Sequence, residues 1–120
     1  MIRILVVDDE EGYRVLLAEL LTHQGYETRR AAAGADAIRI GAAFMPDLLV
    51  VDWILRNHVS GIEVHSALKA IRAGMRTILI SGFASPDLEH LATAVGIDRY
   101  LRKPIEPDEL LAVVREVAGS

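Results

Sequence analysis

Residues 2–9 read Ile-Arg-Ile-Leu-Val-Val-Asp-Asp (IRILVVDD), and the fold class turns on how that octet is read. An apolar run this short, rich in β-branched side chains, suits a strand covered on both faces and is far too short to span a membrane. It stops at two carboxylates. A helix-period segment follows from about Glu11 to Gln24, with Tyr13, Leu16, Leu17 and Leu20 on one face and Gly25 where a helix would stop.

The same unit recurs along the chain. Strands are expected at Ile2–Val7, Glu27–Ala31, Asp47–Val51, Thr77–Ile80 and Arg99–Leu101. Between them lie helices over Ala35–Phe44, ended by Pro46, and over Ile62–Ala73, with Val64, Leu68 and Ile71 inward. Ser85-Pro86-Asp87 opens a further helix with a cap, a first-turn proline and an acid matched to the dipole; its inner stripe is Leu88, Leu91, Ala92 and Val95. A last helix begins at Pro107 and buries Leu110, Val113, Val114 and Val117. Alternating strands and helices imply an α/β fold, a doubly wound five-stranded parallel sheet with helices on both faces.

Composition sorts the strands. Leu5-Val6-Val7, Leu48-Leu49-Val50-Val51 and Ile78-Leu79-Ile80 are continuously apolar and fit central positions. Strand two carries Glu27, Arg29 and Arg30, and strand five carries Arg99 and Arg102, as edges do. Two edges and three central strands match the order 2-1-3-4-5, although composition leaves the order of the central three open.

The bulk numbers narrow the function. At 120 residues, 52% hydrophobic and 25% charged, the chain is expected to form one globular domain. It has no cysteine, which excludes disulfides and thiolate metal sites. The net charge of −4 and the scattered basic residues disfavour direct nucleic-acid binding. No signal peptide or membrane span is apparent, so a cytoplasmic location without membrane contact is expected. His23, His58, His65 and His90 lack the spacing of a metal cluster and read as surface or partly buried residues.

In the order 2-1-3-4-5 the ligand crevice lies at the carboxyl ends of strands one and three, where the strand order reverses. Asp8, Asp9 and Asp52 converge there. Two carboxylates roughly 5 Å apart repel by about 3 kcal/mol at an effective dielectric of about 20. Such a cluster requires protonation, separation or a cation, and oxygen-only ligands favour Mg2+. Ser81 ends strand four and could donate its hydroxyl to a phosphate, while Lys103 follows strand five and could neutralise phosphate oxygens. A carboxylate nucleophile, a divalent cation, a hydroxyl and an ammonium together describe a site for a phosphoryl group on Asp52.

These residues carry a resemblance to the response-regulator receiver family of two-component signal transduction. The matching features are Asp8-Asp9, Asp52, Ser81-Gly82, Tyr100 and Lys103-Pro104, each in its place relative to its strand. The resemblance spans residues 1–120, so a single receiver domain without an output domain is expected. It implies that Asp52 takes a phosphoryl group from a phosphohistidine on a sensor kinase or phosphotransfer protein. It further implies that Asp9, Asp52 and the Ile54 backbone carbonyl hold Mg2+ directly, with Asp8 acting through water. Ser81 and Lys103 would hold phosphoryl oxygens, and Ser81 and Tyr100 would form the switch. In the family the bond at the position of Lys103–Pro104 is often cis. Downstream, a target or fused output domain would meet the face made by helix four, strand five and helix five, and a homodimer is open as well. The role is a phosphoacceptor switch rather than an enzyme acting on other substrates.

One stretch departs from the family. Residues 52–61 read DWILRNHVSG; the usual Met-Pro pair is absent and the glycine comes nine residues after Asp52 instead of eight. Ile54 and Phe83 hold positions that modulate phosphoryl lifetime in the family, and both are apolar, which implies slow autodephosphorylation. Competing readings are weaker. A Mg2+-dependent aspartyl phosphohydrolase would carry an acid where Ile54 stands. A flavodoxin-like cofactor module would need a phosphate-receiving loop where Asp8–Glu11 would repel it. A phosphorylation-independent adaptor would have no use for the full acidic set.

Overall fold

The computed structural model describes residues 1–55, 59–82 and 85–119; His58 and Phe83 lie outside them. Five strands form one parallel sheet: β1 (Arg3–Val7), β2 (Glu27–Ala31), β3 (Leu48–Asp52), β4 (Arg76–Ser81) and β5 (Arg99–Arg102), in the order β2-β1-β3-β4-β5. The helices between and after them are α1 (Glu11–His23), α2 (Gly34–Phe44), α3 (Gly61–Ile71), α4 (Pro86–Ala94) and α5 (Pro107–Val117).

The central strands are buried because each is covered twice. Ile4, Val6, Leu48, Val50, Ile78 and Ile80 face a layer formed by Leu17, Ala18 and Leu21 of α1 and Leu110, Val113, Val114 and Val117 of α5. The alternate residues Leu5, Val7, Leu49, Val51 and Leu79 face Ala37 of α2, Val64 and Leu68 of α3, and Leu88 and Ala92 of α4. Parallel pairing sets Ile4 beside Leu48, and Leu48 beside Arg76. This register brings the carboxyl ends of β1, β3 and β4 to a common rim. The charged strands β2 and β5 are the edges, as composition implies.

Three helix stripes differ from expectation. Leu16 of α1 is 44% exposed, Ile71 of α3 49% and Leu91 of α4 46%. Each sits on a helix with more apolar residues than its buried arc can cover, and periodicity does not tell which margin of a wide stripe faces the sheet. In α1 the buried line is Leu17, Ala18 and Leu21. His65 was expected at or near the surface, yet it is 1% exposed. Its ring is paired on both sides, which is what burial of a polar ring requires.

Helix α3 begins against the end of β3. It opens with a capping box: Ser60 Oγ accepts from Glu63 N at 3.2 Å, and Ser60 N donates to Glu63 Oε2 at 3.0 Å. At its first residue, Gly61 N donates to the Trp53 carbonyl at 2.8 Å. A Cβ on Gly61 would lie 2.1 Å from the Asp52 carbonyl oxygen. Only glycine permits this approach of helix to strand end. Helix propensity alone predicts that Gly61→Ala stabilises by up to about 1 kcal/mol. The backbone clash reverses that sign, so Gly61→Ala should destabilise by about 1–3 kcal/mol in urea unfolding. A neutral or stabilised alanine variant would show that the strand end can move aside.

Candidate phosphoacceptor site

Asp8 follows β1 directly, and its backbone continues the ladder by donating from N to the Ala31 carbonyl at 3.2 Å. Its side chain then organises the start of α1. Oδ1 accepts from Glu10 N at 2.9 Å, and the Asp8 carbonyl accepts from Arg14 at 3.0 Å. This turn carries the Glu10 side chain back over the rim. Asp52 is the last residue of β3 and is 6% exposed; its Oδ1 accepts a long 3.4 Å bond from Ile54 N. Ser81 ends β4, is 1% exposed and lies beside Arg102 in register.

Lys103 reaches the rim because its backbone is fixed to β4. Its N–H donates to the Ser81 carbonyl at 2.8 Å, and the Lys103–Pro104 bond is cis, in line with the resemblance. The ammonium donates to Asp52 Oδ2 at 2.9 Å and Glu10 Oε1 at 2.8 Å. It stands 4.3 Å above the Tyr13 ring, a cation–π contact. Asp8 Oδ2 lies 3.1 Å from Nζ, close enough for ionic attraction but without a hydrogen bond. Among the described residues it is the one buried side-chain oxygen left in that condition.

Asp8, Glu10 and Asp52 each present one oxygen to a cluster whose members lie within 4.8 Å of one another. Of the residues expected to hold a cation, Asp8 and Asp52 are in this cluster. Asp9 is half-buried and not part of it, and Ile54 is 49% exposed in the loop beyond Asp52. Glu10 is in the cluster without having been singled out from the sequence. The only signal for it was its place in the acidic run 8–11. Tyr100 is half-buried and packs against the core layer that contains Leu88 and Ala92 of α4.

Three carboxylates face one ammonium, so the site keeps excess negative charge. Burial pushes Asp52 up to about 6; Lys103 opposes the rise and the charge on Asp8 adds to it. Burial also raises Asp8, against the pull of the Glu10 N–H and of Lys103. For Lys103, burial acts downward, but its hydrogen bonds to Glu10 and Asp52 and its ionic contact with Asp8 outweigh burial and hold it above the usual amine range. Surplus charge, oxygen donors and an unsatisfied buried carboxylate oxygen fit a hard divalent cation.

The shift on Asp52 has a consequence for stability. Its ordinary value is 3.8 and its folded value about 6, so the folded chain holds the extra proton between those limits. Without divalent cations, the Asp52 contribution is therefore most favourable below that window and is lost as pH rises through it. Asp52→Asn is insensitive to this loss. Its stability relative to the unsubstituted chain should grow by on the order of 2–3 kcal/mol between pH 4 and 7, read from urea midpoints in EDTA. A difference independent of pH would contradict the assignment of the raised carboxyl to Asp52.

Comparison with known proteins agrees with this geometry. The family model of the response regulator receiver domain matches residues 4–115. The chain is 32% identical over 114 residues to sporulation initiation phosphotransferase F of Bacillus subtilis, covering 95% of this chain and 91% of that protein. It spans about half the length of several longer curated regulators that it also matches. A CheY-like receiver domain protein from Methanospirillum hungatei JF-1 superposes with a TM-score of 0.93 at 28% identity, covering 99% of this chain and 94% of that one. A response regulator from Burkholderia pseudomallei, whose crystal structure contains a phosphorylated aspartic acid, a calcium ion and citrate, has a TM-score of 0.88 at 29% identity, covering 99% of this chain and 69% of that one. Fold, rim and sequence agree: the chain belongs to the response regulator receiver domain family.

Proposed function

We propose that Asp52 is the phosphoacceptor of this switch and receives its phosphoryl group from a phosphohistidine on a sensor kinase or phosphotransfer protein. The observation that carries this reading is the 2.9 Å bond between Lys103 Nζ and Asp52 Oδ2 at the carboxyl rim of the sheet. In the transfer, an Asp52 oxygen forms a bond to phosphorus as the P–N bond of the phosphohistidine breaks, and the freed imidazole retains the N–P electron pair. Lys103 is placed to follow the charge from the carboxylate onto the phosphoryl oxygens. Ser81 can donate its hydroxyl to one of those oxygens.

Mg2+ suits the cluster of Asp8, Glu10 and Asp52; by the resemblance Asp9, Asp52 and the Ile54 carbonyl would hold it directly, with Asp8 acting through water. When bound, the ion neutralises charge on the transferred group. The calcium ion and phosphorylated aspartate in the Burkholderia pseudomallei regulator support this reading by analogy. Phosphorylation would add close to two negative charges at Asp52; Ser81 would move toward them, and Tyr100 would turn inward into the space vacated. Reversing a 1:99 equilibrium takes about 5.5 kcal/mol of differential stabilisation, within reach of a few charge-assisted bonds. The readout face is α4, β5 and α5, open to a downstream protein, an output domain or a second copy. A cytoplasmic location follows from the proposed partners, and no described helix is long and apolar enough to cross a membrane.

Incubation with acetyl phosphate and magnesium should add one phosphoryl mass to the intact protein. EDTA or Asp52→Asn should abolish the gain, and a full gain in the asparagine variant would refute the acceptor assignment. Lys103→Ala should slow phosphorylation by about 10–100-fold, the worth of one charge-assisted hydrogen bond. An unchanged rate would remove Lys103 from the chemistry. With Ile54 at its position, the phosphoryl group should persist for minutes after the donor is removed; decay within seconds would show that water is positioned by another group.

A further inference from the structure

His65 lies on the inner face of α3 and is 1% exposed. Its Nε2 is 2.8 Å from the Val95 carbonyl, at the C-cap of α4, and its Nδ1 is 2.7 Å from Thr77 Oγ1 on β4. A carbonyl can only accept, so Nε2 carries the proton; in the neutral ring Nδ1 then accepts from the Thr77 hydroxyl. One side chain thus joins three elements, through a buried bond to β4 and a part-buried bond to the end of α4, thirty residues away along the chain.

The same end of α4 has a second tether. Thr77 N donates to Asp98 Oδ2 at 2.8 Å, and Asp98 N donates back to the Thr77 carbonyl at 3.0 Å. At the other end of α4, the bond at the cap is local: Ser85 Oγ accepts from Leu88 N at 3.3 Å. The helix has only nine residues, and its two ends are held by unlike means.

We propose that His65 is the pivot of α4, a positioning residue that pins the C-terminal end of the helix to α3 and β4 so that modification of Asp52 reaches the readout face as movement of the helix's N-terminal end. This rests on the phosphoacceptor reading for the source of the movement. The asymmetry of the helix in the unmodified protein does not depend on that reading. Hydrogen bonds shielded from water are costly to separate, so the pinned end opens rarely, while the N-terminal end, held among the described residues by the Ser85 cap and the packing of Leu88, can shift without breaking such a bond.

Amide exchange followed by NMR on the full chain tests this. In the unmodified protein, the N–H groups of Val95, Gly96 and Ile97 should exchange at least about tenfold more slowly than those of Leu88 and Glu89, the equivalent of one buried hydrogen bond. After acetyl phosphate and magnesium, the change should be confined to the Leu88–Glu89 end. His65→Phe keeps an apolar ring but no bond to Val95, and should erase the gradient and spread the response through Ile97. His65→Gln, whose amide can still donate to the Val95 carbonyl, should retain most of it. If the phenylalanine variant does not fold, Thr77→Val, expected to lose part of the gradient, takes its place. Equal exchange at both ends of the unsubstituted helix, or a gradient unaltered in His65→Phe, would overturn the pivot. A purely structural role would lower stability without redistributing the response. Should no phosphoryl mass appear, the acceptor reading fails, and the gradient and its loss in His65→Phe still decide the pivot.

Discussion

The arrangement of this molecule depends on one ammonium group standing among carboxylates that repel one another. Asp8, Glu10 and Asp52 come from the ends of two neighbouring strands and the turn between β1 and α1, and sheet pairing forces them together. Lys103 arrives from beyond β5, on the far side of β4, and closes the cluster with bonds to Glu10 and Asp52. Each half of this arrangement would be unfavourable without the other. A buried lysine lacking these acids would lose its proton readily, and buried acids lacking the lysine would take protons up. Together they leave a small surplus of negative charge at the rim, of the kind that suits a hard cation.

Much of this is legible in the sequence because the sheet is buried on both sides. Continuous apolar runs at Ile4–Val7, Leu48–Val51 and Ile78–Ile80 leave few alternatives to central strands, and arginine-bearing strands fit only the edges. Once the strand ends are known, Asp8, Asp52, Ser81 and Lys103 fall on the rim without further assumption. What escapes the sequence depends on side-chain reach and helix rotation. Glu10 enters the site because Asp8 turns the chain beneath it. Leu16, Ile71 and Leu91 lie on margins that periodicity cannot rank. His65 reads as an ordinary polar residue, since nothing in the local sequence announces Thr77 and the Val95 carbonyl as its partners.

The two helical layers carry different burdens. α1 and α5 pack through an aliphatic layer, with leucine and alanine from α1 and leucine and valine from α5. The opposite layer admits a histidine, a threonine hydroxyl and a half-buried tyrosine around α4. Polar contacts have directional minima, so they favour a few discrete arrangements, whereas aliphatic packing resists change of any kind. The layer with the directional contacts is also the one that abuts the face proposed to report on Asp52.

The contact between Gly61 and the end of β3 has a consequence for how such a chain can diversify. The segment after Asp52 is closed at its base by the Gly61–Trp53 bond, and the cap at Ser60 restarts regular structure immediately. With both stems clamped, an added residue lengthens the span without displacing the acceptor, and the entropic cost of a longer loop grows only logarithmically. The surface beside Asp52 is thereby free to vary in length and chemistry while the Asp52 carboxylate keeps its coordinates, so the two can evolve on separate schedules.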